Sequence, residues 1–157
     1  MEQYLDALLR SMDEKTACLE LLLEKTAAQA EILAAEVVDW DAFDALIDEK
    51  AELIDRLEVL DDGFVSVFDR IKDELETKKD AYKPQIARLK EQIKKVTEQS
   101  ASLMANEKRN QEQMTKQTGA ERKRIRETRS RSKAAASYYK SMNQINYVDP
   151  QLMDKKK

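Results

Sequence analysis

The chain has 157 residues, of which 38% are charged, yet it contains only 2 glycines and 2 prolines. Sheet folds of this length need turns, which those two residue types supply, so the composition argues against β and α/β folds and predicts long helices. Histidine is absent, which excludes a Ser-His-Asp triad and histidine metal ligands. The single cysteine, Cys18, excludes an internal disulfide and a cysteine-based zinc site.

Charge is distributed unevenly along the chain. Residues 1–80 carry 23 acidic and 9 basic side chains, whereas residues 81–157 carry 8 acidic and 19 basic ones. Either acidic helices pair with a basic helix along a seam, or the basic half binds a polyanion. We favour the first interpretation because the whole chain has a pI near 5.3, and its long-range field would repel nucleic acid.

The first predicted helix covers residues 2–37. Its mostly apolar side chains recur in two series spaced by seven residues, which is typical of a helix that packs along a seam. Asp39 or Asp41 can then cap the next helix. We interpret Trp40 as a hydrophobic plug over the end of this helical hairpin, and Cys18 as a small core residue. The two series are Leu5, Met12, Leu19, Thr26 and Leu33, and Leu9, Thr16, Leu23, Ala30 and Val37.

The second predicted helix covers residues 41–79. Its apolar face is wider than a two-stranded coiled coil needs, so it should contact more than one neighbour. Gly63 costs about 1 kcal/mol relative to alanine inside a helix. The seam stays in phase across it, which predicts a kink or a close contact rather than a turn. One seam series consists of Phe43, Leu57, Phe64 and Ile71, with Lys50 as its one polar member.

The third predicted helix covers residues 84–140, because Pro84 suits a first helical turn. Its seam is clean up to Leu103 but weakens after Met104, where Glu107 and Asn110 take seam positions. Residues 122–133 hold seven bases against one acid. Such a helix would be roughly 80 Å long, against roughly 50–60 Å for the other two. About its last 20–30 residues would then lack a partner of equal length, and should be frayed, mobile, folded back or waiting for a partner.

These observations predict an all-α fold, an elongated antiparallel coiled-coil-like bundle of three long helices with a mobile C-terminal segment. We divide it into an antiparallel helical core over residues 1–105 and a basic, partner-binding helix and tail over residues 106–157.

Catalysis is not expected. The sequence has no glycine-rich phosphate loop and no cluster of metal ligands, so we predict no enzyme, no cofactor and no small-molecule substrate. The carboxylates of Asp41, Asp44, Asp48 and Glu52 recur at helical spacing, and we interpret them as a solvated face. No run of about 18 apolar residues and no secretory signal pattern are found, so the expected location is the cytoplasm.

The stretch from Trp40 to Leu57, with its Leu46, Lys50 and Leu53-Ile54 pattern after an aspartate-containing corner, resembles the second helix of FlgN-type flagellar export chaperones. The related FliT-type chaperones share this pattern. The resemblance covers roughly residues 1–115 in architecture. The tail, with Tyr138-Tyr139-Lys140-Ser141-Met142 and Leu152-Met153-Asp154-Lys155-Lys156, resembles the C-termini of clostridial-type members. The basic segment over residues 122–133 departs from the smaller members.

The resemblance implies a cytosolic, non-catalytic chaperone. Members of the family bind amphipathic terminal helices of late flagellar substrates, notably hook–filament junction proteins, keep them soluble and deliver them to the export gate. A tyrosine near the C-terminus is associated with docking at the gate, and Tyr138, Tyr139 and Tyr147 are possible counterparts. The alternatives are a self-associating coiled-coil structural or adaptor protein and, with less support, a nucleic-acid-binding protein that uses the basic helix.

We predict partner contacts from the seam analysis. The apolar contacts are Leu103, Met114, Ile125, Tyr138, Tyr139 and Met142, and the cations that would steer acidic groups of the partner are Arg122, Arg124 and Arg126.

Overall fold

The computed structural model describes residues 1–117 and 122–145, with the side chains of residues 122, 123 and 143–145 excepted. These residues form four α-helices and contain no strand, which confirms the predicted all-α class. The helices are α1 (Glu2–Ala34), α2 (Trp40–Thr77), α3 (Lys83–Thr115) and α4 (Arg122–Ile145), and a 3-10 turn (Lys79–Tyr82) joins α2 to α3.

The side-chain contacts fix how the helices run. Lys25 pairs with Glu49 and Glu14 with Arg56, so α1 and α2 are antiparallel. Gln92 bonds to Leu9 and Asn110 to Thr26, so α3 runs parallel to α1. The fourth helix packs on α2 and α3 and lies diagonally opposite α1. It therefore fills the groove that α2 and α3 form between them.

The prediction of a third helix that continues to residue 140 is wrong. Helix α3 ends at Thr115, where the N–H of Lys116 bonds to the carbonyl oxygen of Gln113 and the N–H of Gln117 to that of Met114, and a separate helix begins at Arg122. A continuous helix would leave its last turns without a neighbour, and an isolated helix is only marginally stable in water. Folding back lets α4 bury apolar side chains against α2 and α3. Of the four states expected for this segment, the described residues adopt the folded-back one.

The corner between α1 and α2 is formed as the sequence predicts, with small differences in the helix ends. Helix α1 stops at Ala34, three residues before the predicted end at residue 37. Asp39 caps α2, and its Oδ1 accepts a hydrogen bond from the backbone N–H of Ala42 at 3.1 Å. Trp40 is 4% exposed and packs edge-on against Phe43, with ring centroids 5.7 Å apart. The interpretation of Trp40 as a plug is confirmed.

The core consists of two apolar clusters. The larger one follows the seams of all four helices, and Cys18, as predicted, is buried within it. The smaller one closes the end of the bundle at the α1–α2 corner. Its buried residues are Leu33, Trp40, Phe43, Ile47, Met114 and Ile125.

Buried polar side chains lie in the bundle between residues of these two clusters. Lys50 of α2 donates hydrogen bonds to Glu107 of α3 and, at 2.8 Å, to Oε1 of Gln29 of α1. Asn110 donates to the Thr26 carbonyl oxygen at 3.2 Å. Glu107 and Asn110 occupy the seam positions at which α3 loses its apolar pattern. The weakened seam is therefore a polar layer with its own partners.

A second buried ion pair joins Lys15 of α1 to Asp61 of α2. Burial lowers the pKa of both Lys15 and Lys50, and the carboxylates of Asp61 and Glu107 oppose that shift. Each lysine is thus held inside the bundle by one carboxylate from another helix.

The packing does not divide at residue 105. Buried residues continue along α3 through Glu107 and Asn110 to Met114, and α4 adds Tyr139 and Met142 to the larger cluster. Residues on both sides of the boundary that the sequence suggested therefore share one core.

The close contact predicted at Gly63 is absent. Helix α2 continues through this exposed position, and a Cβ atom built there would meet no heavy atom within 4 Å. Gly63→Ala should therefore raise the free energy of unfolding by about 0.5–1 kcal/mol, because alanine loses less backbone entropy in a helix. Urea denaturation measures it, with Ala45→Gly on the same helix as the reciprocal control. A loss of stability in Gly63→Ala would contradict the open environment.

The Lys50–Glu107 pair should behave as a coupled unit. Lys50→Met leaves a buried carboxylate without its cation and should cost about 3–5 kcal/mol. The double variant Lys50→Met/Glu107→Leu should return to within about 1 kcal/mol of the parent, or exceed it, because both desolvated charges are gone. A double-mutant cycle from urea midpoints gives the coupling. The exposed pair Lys25–Glu49 is the control, and Lys25→Met should cost at most about 1 kcal/mol.

Candidate helix-binding groove

Helix α4 contacts the groove between α2 and α3 through a regular seam. The seam positions are separated by alternating steps of three and four residues, the spacing of one helix face. Three of its six side chains are small or polar, although they lie at positions that the neighbouring helices shield from water. The six residues are Ile125, Thr128, Ser132, Ala135, Tyr139 and Met142, of which only Ala135 is half-buried and the others are buried.

An acidic row on α2 holds one flank of α4. Arg124 Nη2 lies 2.8 Å from Asp41 Oδ1 and 2.7 Å from Asp44 Oδ2, and these hydrogen bonds raise the pKa of the guanidinium. Thr128 Oγ1 donates to Asp44 Oδ1 at 3.0 Å, and Arg131 pairs with Asp48. Acidic α2 and basic α4 therefore pair along their contact, as the favoured interpretation of the charge distribution predicts.

Two adjacent tyrosines hold the C-terminal half of α4, each through a different kind of contact. The Tyr138 hydroxyl donates to Asp61 Oδ2 at 2.8 Å, so α4 joins the buried Lys15–Asp61 pair. The Tyr139 side chain is fully buried, and its hydroxyl has no hydrogen-bond partner among the described residues. Burial raises the pKa of both phenols, and the bond to Asp61 adds to the shift at Tyr138.

The contact between α2 and α4 is not completely filled. A hollow of about 170 Å³ lies between the two helices. Lys50 and Arg131 reach its edge, but each is already ion-paired. Its remaining lining is chiefly aliphatic. Besides the exposed Asp55, the remaining lining consists of Ile47, Ala51 and Ile54 of α2, and Ser132, Ala134 and Ala135 of α4.

The structure places the predicted partner-binding residues inside the protein's own fold. Leu103 and Met114 of α3 are fully buried, Ile125 of α4 is buried in the same cluster as Met114, and Tyr139 and Met142 belong with Leu103 to the larger cluster. In this conformation their side chains are not accessible to another protein. A role in partner contact stays a prediction, and it requires α4 to leave the groove.

The predicted cations differ in their surroundings. Arg124 is engaged with Asp41 and Asp44, whereas Arg126 is exposed and makes no ion pair with the described residues. Arg122 begins α4, but its side chain lies outside the described residues, as does Tyr147 of the tail.

Sequence reasoning missed several residues that hold α4 in place. The sequence pattern predicts that Asp44 is part of a solvated face, but in the structure it contacts Arg124 and Thr128, and its side chain is only 25% exposed. Asp61 gave no periodic signal because it lies one residue after a seam leucine. Asp41 and Asp48 are seven residues apart, as are Arg124 and Arg131, and this equal spacing was a detectable signal, provided that α4 was known to fold back.

A membrane span and a metal site are not found in the part of the chain that the structure describes. Among residues 1–117 and 122–145, no helix combines the length and apolar character needed to cross a membrane. The same residues include no group of three or more cysteine and acidic side chains arranged to hold a metal ion.

Comparisons with models of protein families, with characterised proteins and with solved structures find no match to this chain. What the molecule does must therefore be inferred from the groove and from α4.

The two tyrosines form a matched pair for a test of α4 docking. Tyr138→Phe loses a hydrogen bond to an ionised carboxylate and should lower the free energy of unfolding by about 1–2 kcal/mol. Tyr139→Phe removes a buried hydroxyl without a partner in the described residues, and should leave stability unchanged or raise it by up to about 1 kcal/mol. Urea denaturation at neutral pH distinguishes them, and equal losses would contradict the observed bonding.

The raised pKa values of the two tyrosines predict how the stability of the protein changes at alkaline pH. A raised folded-state pKa means that the tyrosine contribution is complete below its ordinary value of 10.0 and is lost as pH rises beyond it. Lys15 and Lys50, whose pKa is lowered, act in the opposite direction, so each variant is compared with its parent at every pH. Above about pH 10, Tyr139→Phe should lose stability less steeply than the parent.

Proposed function

We propose that this protein is a flagellar type III export chaperone, which binds helical termini of hook–filament junction proteins and keeps them soluble and export-competent. The observation that carries the proposal is the seating of α4: an amphipathic helix lies in the groove between α2 and α3 as a partner helix would. The resemblance of the stretch from Trp40 to Leu57 to export chaperones names the class of partner.

Binding in this proposal requires exchange of α4 for a cargo helix. Release of α4 would uncover Met114 on the groove side, which shares a cluster with Ile125, and would expose Ile125, Tyr139 and Met142 on α4 itself. Both surfaces are apolar, and the apolar assembly helices of a junction protein would aggregate if left exposed. Because α4 competes for the groove, cargo affinity would be reduced and release at the export gate would be easier.

The way α4 is held supports such an exchange. Its ion pairs with α2 lie at the surface, where salt and water weaken them, and half of its seam side chains are small or polar. The buried contacts of Tyr139 and Met142 provide enough apolar contact for a defined resting position.

The two alternatives receive less support from the geometry. A self-associating coiled coil needs free apolar seams, and the seams of all four helices contribute to one shared core. A nucleic-acid-binding protein needs a broad face of free cations, and on α4 Arg124 and Arg131 are neutralised by aspartates of α2, while Arg126 and Lys133 are exposed without an ion pair to the described residues.

The test uses the full chain and a purified hook–filament junction protein. Arg131→Glu places an anion beside Asp48, should loosen α4, and should tighten cargo binding by about tenfold if α4 covers the groove. Lys133→Glu is the matched control: it makes the same charge change two residues away, where the side chain is exposed and has no ion pair with the described residues. It should bind cargo as the parent does.

Calorimetry and light scattering after gel filtration would give affinity and stoichiometry. A defined complex with the parent, tighter with Arg131→Glu only, supports the proposal. The absence of a complex with all three proteins would overturn the chaperone function. Equal affinity of all three would overturn the exchange of α4.

A further inference from the structure

The hollow between α2 and α4 coincides with the part of the α4 seam that has the smallest side chains. Ser132 is buried and Ala135 is half-buried, and both line the hollow together with Ala134. Across from them, Ile47 and Ile54 of α2 present aliphatic surface. The hollow is partly open to water, because Ala51 and Ala134 in its lining are exposed, and a larger apolar side chain on α4 would make contacts with its walls that the native side chains do not make. The native α4 is therefore a poor fit to the middle of its own groove.

The acidic rim of the groove sets a second requirement. Arg124 and Arg131 are seven residues apart, two helical turns, and they reach Asp44 and Asp48 of α2. Thr128, midway between them, donates to Asp44. A helix with a cation at each of two positions seven residues apart on the flank that faces α2 would keep these contacts, whereas an anion at either position would face an aspartate.

The hollow is not suited to a small polar ligand. Lys50 at its edge is paired with Glu107 and Arg131 is paired with Asp48, and the third charged lining residue, Asp55, is exposed to water. The aliphatic side chains of Ile47, Ala51 and Ile54 favour an apolar side chain, and a helix that replaces α4 can place one there while the Lys50–Glu107 pair stays intact.

We infer that the groove selects a partner helix with large apolar side chains at the positions of Ser132 and Ala135 and with basic residues at the positions of Arg124 and Arg131. This inference rests on the proposed function and specifies its partner. Such a helix keeps the rim contacts of α4, fills the hollow, and displaces α4 because α4 fits less well. Because α4 leaves the hollow unfilled, it occupies the groove only until a helix that fills the hollow replaces it.

Synthetic peptides of residues 122–145 test the inference. The first has the native sequence, the second carries Ser132→Leu and Ala135→Leu, and the third carries Ser130→Leu and Ser137→Leu. The second and third peptides each gain two leucines, but Ser130 and Ser137 are exposed on α4. The third peptide therefore controls for added hydrophobicity alone.

A fourth peptide tests the acidic rim by adding Arg124→Glu and Arg131→Glu to the second peptide. It keeps the two leucines that would fill the hollow but places anions opposite Asp44 and Asp48. It separates the requirement for cations from the requirement for large apolar side chains.

Binding is measured by calorimetry against the full chain, both the parent and Arg131→Glu, in which α4 is loosened. The second peptide should bind about tenfold more tightly than the native peptide, because it buries two added leucine side chains. The third peptide should match the native one, and the fourth should lose most of the gain. Equal binding of the second and third peptides, or of the second and fourth, would overturn the inference.

Variants of the full chain give an independent readout. Ser132→Leu/Ala135→Leu should raise the midpoint of thermal unfolding and weaken binding of the junction protein, because the improved α4 is harder to displace. Ser130→Leu/Ser137→Leu should change neither. A lower midpoint in the first variant would mean that the hollow does not accept the leucines and would also overturn the inference. The junction protein can still bind the parent in that case, so the proposed function is judged separately.

Discussion

The contact between Lys50 and Glu107 is the constraint on which the arrangement of the helices depends. An unpaired charge in the core of a bundle is strongly unfavourable, so these two side chains must meet, and they lie on helices that are diagonal to each other. Gln29 of α1 accepts a further hydrogen bond from Lys50. One polar layer thus fixes how far α1, α2 and α3 can slide along one another. Aliphatic seams alone tolerate shifts by a heptad, because each leucine can replace the next.

The fourth helix is held by different kinds of interaction. Its ion pairs with α2 lie at the surface, and only its C-terminal half reaches the larger apolar cluster. Tyr138 connects α4 to the buried charges of the first three helices, because its hydroxyl bonds to Asp61, which is already bound to Lys15. The first three helices therefore form a frame whose register is set by buried charge, and α4 is attached to that frame in part by exposed ion pairs. The elements that move in function are drawn from the less stable parts of a protein.

Much of the frame could be predicted from the sequence. The heptad series locate α1 and α2 to within three residues at each end, and Asp39 and Trp40 mark the corner between them. The fate of the basic segment could not be predicted, because whether a helix with polar residues in its seam folds back depends on contacts far along the chain. The polar residues Glu107 and Asn110 appeared as a fading pattern, since a single sequence does not show which groups stand opposite them. The hollow was beyond sequence reasoning, because it depends on how closely two helices approach.

The position of Trp40 has a practical consequence. It is the only tryptophan in the chain, and it belongs to the same apolar cluster as Ile125 near the start of α4. An indole that loses apolar neighbours becomes exposed to water, and its fluorescence emission shifts to longer wavelength. The protein thus carries a natural optical reporter at the place where α4 meets the end of the bundle. The release of α4 that the proposed exchange requires can be followed in real time on unlabelled material.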